Sequence, residues 1–151
     1  MPVRPAAMRD LASIASLVQS YWTFESIDGF DRARVESLLR KVLSEPERGA
    51  CWVAETNGEV CGYLLAVFVF SLEHDGLMAE IDELFVSPEA RSAGVGSLLV
   101  SAAERDLAER GLLRLQLQLG VANGSARRFY ERHGFSRAGY ELLGKALQAE
   151  K

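Results

Sequence analysis

The chain has 151 residues, of which 48% are hydrophobic and 25% charged, and carries a formal net charge of -4. That is the size of a single domain with an ordinary core, expected here over 1–151, and the mix excludes a disordered chain. The acidic excess offers no general attraction to nucleic acid or to an anionic membrane, so neither is expected as a partner. The longest strongly apolar run, YLLAVFVFSL at 63–72, is far short of the roughly 20 residues that cross a bilayer. No apolar signal core follows the first basic residue, which points to a cytoplasmic protein. Cys51 and Cys61 lie beside apolar runs and read as buried free thiols, without the companion side chains of a metal site or a catalytic thiol.

After a short start at VRPA, residues 9–21 place Leu11, Ile14, Ala15 and Val18 at helical spacing. Residues 32–42 do the same with Val35, Leu38, Leu39 and Val42, with Asp31 as the cap and EPERG as the stop. From Cys51 the period becomes that of strands: CWVAE, a turn at Asn57-Gly58, then VCGYLLAVFVFSL. A second turn at HDG leads into LMAEIDELFV, stopped by Ser87-Pro88, and a helix from about Val95 to Arg110 follows. Gly111 ends that helix and LLRLQLQL resumes strand alternation, so the unit over 80–118 is a right-handed crossover between parallel strands. The next helix starts at Gly124 or Ser125 and ends near His133-Gly134, and FSRAGYELLGKAL is expected to form a last strand. The predicted fold is thus α/β: a mixed, mostly antiparallel sheet flanked by about four helices.

The segment RSAGVG at 91–96 opens a helix with an arginine, two glycines and bare backbone N–H groups. A helix start has four N–H groups without intrahelical acceptors and the positive end of the peptide dipoles, which suits an anion. The segment matches neither the dinucleotide pattern G-x-G-x-x-G nor the phosphate loop G-x-x-x-x-G-K-[ST]. From the residues alone, a phosphate site and a helix start whose glycines only permit close packing both stay open.

LFVSPEARSAGVGSLL, followed after one strand by NGSARRFYERHGF at 123–135, resembles the GCN5-related N-acetyltransferase superfamily. Arg91, Gly94 and Gly96 match its coenzyme signature [Q/R]-x-x-G-x-[G/A], and Asn123, Ala126, Phe129, Tyr130, Gly134 and Phe135 match its second block. The resemblance covers 4–147 in architecture, with its specific motifs in 80–135. It implies an N-acetyltransferase with acetyl-coenzyme A as cosubstrate and no metal. The pyrophosphate is then expected on Arg91, Ser92, Ala93, Gly94, Val95, Gly96 and Ser97, with backbone N–H groups as the main donors. Arg91 adds charge there or, alternatively, pairs with Glu89. The pantetheine arm is expected along the strand edge at Leu84, Phe85 and Val86, and Asn123, Arg127 and Tyr130 complete the coenzyme contacts.

The resemblance also implies proton carriers. An alkyl ammonium has a pKa of about 10.4, so its proton must be collected before it attacks a thioester. Glu80 stands eleven positions before Arg91, as the general-base glutamate of the histone acetyltransferase branch stands before its glutamine. Plain alternation puts Glu80, Asp82, Leu84 and Val86 on one strand face and Ile81, Glu83 and Phe85 on the other, which makes Glu80 and Asp82 a pair and Glu83 a weaker candidate unless a bulge intervenes. Carboxylates at a wet strand edge, or paired with arginines, are the alternative. Tyr130 matches the tyrosine that protonates the departing thiolate, and Asn123 also suits a helix cap. The aromatic stretch YWTFESIDGF either lines an acceptor pocket through Tyr21, Trp22, Phe24 and Glu25 or packs between helices.

The expected reaction is acetyl transfer to an amine, of a small molecule or a protein, by direct attack in a ternary complex. A homodimer stays open. The rival reading is a non-catalytic acyl-coenzyme A-binding or regulatory module, which would need the anion cradle but none of the proton carriers.

Overall fold

A computed structural model describes residues 2–148 and divides the chain into two compact units, Met1–Gln118 and Leu119–Lys151. The first is built on a five-stranded sheet in the order β1-β2-β3-β4-β5. Its strands are β1 (Val3–Pro5), β2 (Gly49–Thr56), β3 (Glu59–Ser71), β4 (Gly76–Val86) and β5 (Leu115–Leu117). The first three junctions are antiparallel and β4–β5 is parallel, as the crossover reading requires. The helices α1 (Leu11–Phe24), α2 (Arg32–Ser44) and α3 (Val95–Glu109) cover the sheet, and a 3-10 turn over Pro88–Ala93 links β4 to α3.

Local chemistry accounts for most of these boundaries. Asp31 caps α2 by accepting from the Arg34 N–H at 3.2 Å. Asn57 and Gly58 take φ of 52° and 79°, the left-handed pair that a two-residue hairpin between β2 and β3 demands. Gly49 is required for a different reason: a Cβ there would run into the Ala66 carbonyl across the β2–β3 ladder.

The strand period sorts the core into two layers. Cys51, Val53, Tyr63, Leu65 and Phe85 pack with Ile14, Ala15, Val18, Val35 and Leu39 under α1 and α2. Trp52 belongs to the opposite face, and its Nε1–H donates to Asp106 Oδ2 on α3 at 2.7 Å. Val95, Leu99, Val100 and Ala103 bury α3 completely along that stripe. Burial of each such aliphatic side chain contributes about 1.5–3 kcal/mol.

The second unit contains α4 (Gly124–Arg132), capped by Asn123, whose Oδ1 accepts from the Ala126 N–H at 3.2 Å. Gly134, at φ 88°, ends it. The strand expected over FSRAGYELLGKAL is not formed: the described residues 135–148 carry no strand, and Leu142, Leu143 and Leu147 are exposed. Apolar side chains mark a capacity for pairing, but Gly139 takes φ 83° in the middle of the segment and interrupts an extended backbone. The strand expected from LLRLQLQL is likewise shorter than its alternation suggests, with only Leu115–Leu117 paired.

Candidate active site

The carboxylates of β4 are placed by an irregularity in the strand. Glu83 pairs with Leu65 and Ile81 with Ala66, so the residue between them, Asp82, has no cross-strand partner. It is the extra residue of a β-bulge. Glu80 pairs with Val67, two positions from Leu65 on β3, which puts Glu80 and Glu83 on one face of the sheet. The plain alternation that groups Glu80 with Asp82, Leu84 and Val86 is thereby corrected: Leu84 pairs with Leu64 on the other face, and Asp82 is an exposed residue outside the register.

Each of the three carboxylates has its own surroundings. Glu80 accepts from Gln116 Nε2 at 2.9 Å and from Gln118 Nε2 at 3.4 Å, both reaching from β5 and its exit. Glu83 accepts from Trp22 Nε1–H at 2.8 Å and from the Tyr63 hydroxyl at 2.7 Å. Burial pushes the Glu83 carboxyl above the usual glutamate range, against the two hydrogen bonds that favour its charged form. Asp82 is also raised, by loss of hydration and then by Glu80, though its exposure to water makes that effect the less consequential. Among the described residues none of the three has an ion-pair partner.

The edge of β4 is open beyond the bulge. β5 reaches only Ala79, Glu80 and Ile81, so from Asp82 to Val86 the side of β4 turned away from β3 has no strand partner among the described residues. Such an edge can accept an extended ligand as an additional strand. It leads through the 3-10 turn to Gly94, which takes φ 74° and serves as the cap of α3. Space beside the Gly94 Cα is open, and the helical ladder starts with the Leu98 N–H on the Gly94 carbonyl at 3.2 Å. The N–H groups of Gly94, Val95 and Gly96 therefore precede it, as a pyrophosphate cradle requires. Val95 itself is fully buried and anchors the turn. The side chain of Ser92 lies outside the described part of the structure.

Arg91 has a role that the sequence did not suggest. Its Nε donates to the Val86 carbonyl at 3.0 Å, and its guanidinium lies 4.8 Å from the Phe24 ring centre and 5.2 Å from that of Phe85. It stacks on the end of α1 rather than pairing with Glu89. Tyr21 packs on Phe85 at 5.6 Å between ring centres, so Tyr21, Trp22 and Phe24 each hold α1 to β4 or to its exit. Both thiols are buried and outside any disulfide, and burial pushes that of Cys51 up to about 12, which suits packing rather than nucleophilic attack.

In the second unit, Asn123 performs the capping that its type and position predict. Tyr130 sits in a ring cluster, 5.1 Å from Phe129 and 5.5 Å from Phe135 between centres. Arg127 follows in the same helix, its N–H on the Asn123 carbonyl at 3.1 Å.

A strand edge open beside a bulged acidic segment, followed by a left-handed glycine and a helix start, is an arrangement suited to an acyltransferase. The chain belongs to the acetyltransferase (GNAT) family, whose model matches residues 11–135, and is an N-acetyltransferase of that family. It is 33% identical over 135 residues to the uncharacterized N-acetyltransferase YhfO of Bacillus subtilis, covering 89% of each chain. Its fold matches an integron cassette protein from the mobile metagenome of Cole Harbour Salt Marsh with a TM-score of 0.85, at 27% identity over 98% of this chain and 91% of that one. A predicted acetyltransferase with acetyl-coenzyme A from Clostridium acetobutylicum shares the fold at 17% identity, with a TM-score of 0.81 over 95% of each chain. Among the described residues no helix is long and apolar enough to cross a membrane.

Proposed function

We propose that this chain transfers the acetyl group of acetyl-coenzyme A to a primary amine, of a small molecule or a protein, by direct attack in a ternary complex, with its two units acting as one catalytic domain. The observation that carries the reading is the unpaired β4 edge running from the bulge to the Gly94 turn and the start of α3. Acetyl-coenzyme A supplies the activated thioester carbonyl. The N–H groups at Gly94, Val95 and Gly96, with Ser92, Ala93 and Ser97 around them, hold the pyrophosphate, while Leu84, Phe85 and Val86 offer backbone to the arm. Arg91 leaves its stack on Phe24 or extends from it to add charge. Asn123 and Arg127 complete the contacts.

Glu80 takes the proton of the incoming ammonium, and Asp82, exposed and unpaired, draws the cation toward β4. A unit charge 4 Å from another gains about 4 kcal/mol at an effective dielectric near 20, before the cost of desolvation. Tyr130 gives a proton to the departing sulfur. A panel of amines, assayed by release of the free coenzyme thiol, tests the reading: a cationic amine should be turned over. Tyr130→Phe should lower that turnover about 10²-fold, as lost acid catalysis does, with coenzyme affinity retained. A folded protein that binds the coenzyme but releases no thiol with any amine of the panel would be a binding module instead.

A further inference from the structure

Glu83 differs from Glu80 in its donors: an indole N–H and a phenol hold its two oxygens, where two glutamine amides hold those of Glu80. Trp22, at the end of α1, lies 61 positions away in the chain and Tyr63, fully buried on β3, lies 20 away. The residue itself is only part-buried. An indole N–H can only donate, which fixes Glu83 Oε2 as an acceptor in either protonation state. A proton can enter on the second lone pair of Oε1 while the Tyr63 hydroxyl goes on donating to the first, so the buried phenol keeps its acceptor. The cluster is thus satisfied with Glu83 charged or neutral, and gaining a proton orphans no buried polar atom. A purely structural carboxylate needs no such reversibility.

The groups around it favour a proton acceptor rather than an ion pair. Tyr21 on α1, Cys51 on β2, Tyr63 on β3 and Asp82 on β4 interact electrostatically with Glu83, and none of them is a cation. The bulge completes the arrangement by turning Glu83 onto the face of Glu80.

We infer that Glu83 is a second proton-accepting carboxylate of this active site, with Trp22 and Tyr63 as its positioning residues. The inference rests on the amine-acetylation reading above. In the step it describes, an ammonium N–H bond breaks and an O–H bond forms on Glu83 Oε1. The electron pair stays on nitrogen, which is then free to attack, and Tyr63 goes on donating to the other lone pair of Oε1.

The test combines a titration with kinetics. Carbon-detected NMR of the free protein labelled at glutamate carboxyls, assigned with Glu83→Gln, should show Glu83 titrating above ordinary glutamate. Tyr63→Phe and Trp22→Phe, each removing a donor to the carboxylate, should move it further up. With any amine that is turned over, Glu83→Gln should lower kcat about 10²-fold and lose more than Asp82→Asn. Tyr63→Phe should shift the acid limb of the kcat profile upward in step with the titration. An ordinary titration unmoved in both variants overturns the inference, and so does a Glu83→Gln profile superimposable on wild type in an active enzyme. If no amine is acetylated, the amine reading fails, and the titration alone still decides whether Glu83 is a poised acceptor.

Discussion

Asp10 and Glu83 are both carboxylates held by hydrogen bonds to each oxygen, yet their partners differ in one respect. Asp10, at 4% exposure, accepts from both terminal nitrogens of Arg4, at 2.8 and 2.9 Å, and from the Ala7 N–H at 2.7 Å. Arg4 also binds Glu55, so one cation joins β1, the approach to α1 and β2. Glu83 has two neutral donors and two further acids on its own strand, with no cation paired to any of the three among the described residues. The guanidinium of Arg4, through its hydrogen bonds first, holds the Asp10 carboxyl below its ordinary range, whereas burial lifts Glu83 above its own. A cluster with its charge satisfied serves the fold. One with its charge left open is suited to take a cation or a proton from outside.

The largest effect on that contrast should come from removing the cation. Arg4→Met leaves Asp10 buried and unpaired, and should cost about 3–5 kcal/mol in denaturant unfolding. The lower end is expected because the Arg4 side chain is 26% exposed. A loss under about 1 kcal/mol would show that the cluster does not hold the fold.

The two regions should also respond to pH with opposite sign. A carboxyl depressed in the folded state, such as Asp10, contributes stability that is present above its unfolded pKa of about 3.9 and is lost as pH falls through its folded value. Asp10→Asn should therefore lose stability at neutral pH relative to wild type and lose less of it in acid. Glu83 is raised, so its contribution is fully present below about pH 4.3 and is lost as pH rises through its folded value. Glutamine carries no charge to desolvate, and its Oε1 can still accept from one of the two donors. Glu83→Gln should thus be at least as stable as wild type at pH 7, with the difference shrinking toward pH 4 in thermal unfolding. A marked loss at pH 7 would make Glu83 a structural residue like Asp10.

The part of this contrast visible in the sequence was the local part. Capping by Asp31 and Asn123, the Asn57-Gly58 hairpin and the β4–α3–β5 crossover follow from rules that act within a few residues, and the structure contains each of them. The left-handed conformation of Gly94 is seen only in the structure, since the glycines of RSAGVG suggested room for an anion or for close packing. The bulge at Asp82 was not legible, because no glycine or proline marks it; it exists only in the register between β3 and β4. One unpaired residue is enough to exchange Asp82 for Glu83 as the companion of Glu80. The Trp22–Glu83 bond and the stacking of Arg91 on Phe24 are equally invisible to spacing, since each joins elements brought together by the core. The strand expected over 135–147 failed for the converse reason: alternation was read as pairing, which only a partner strand supplies.

The central claim is that the open acids of β4, unlike the closed cluster at Asp10, collect the proton of an amine. Glu80→Gln keeps the size of the side chain and the reach to Gln116 and Gln118 while removing charge and basicity. The pH dependence of turnover for wild type and Glu80→Gln, at saturating acetyl-coenzyme A and amine, tests the claim most directly. The account predicts a rate depressed about 10²-fold near neutrality and partly rescued at high pH, where the amine arrives already neutral. Superimposable profiles of equal height would contradict it.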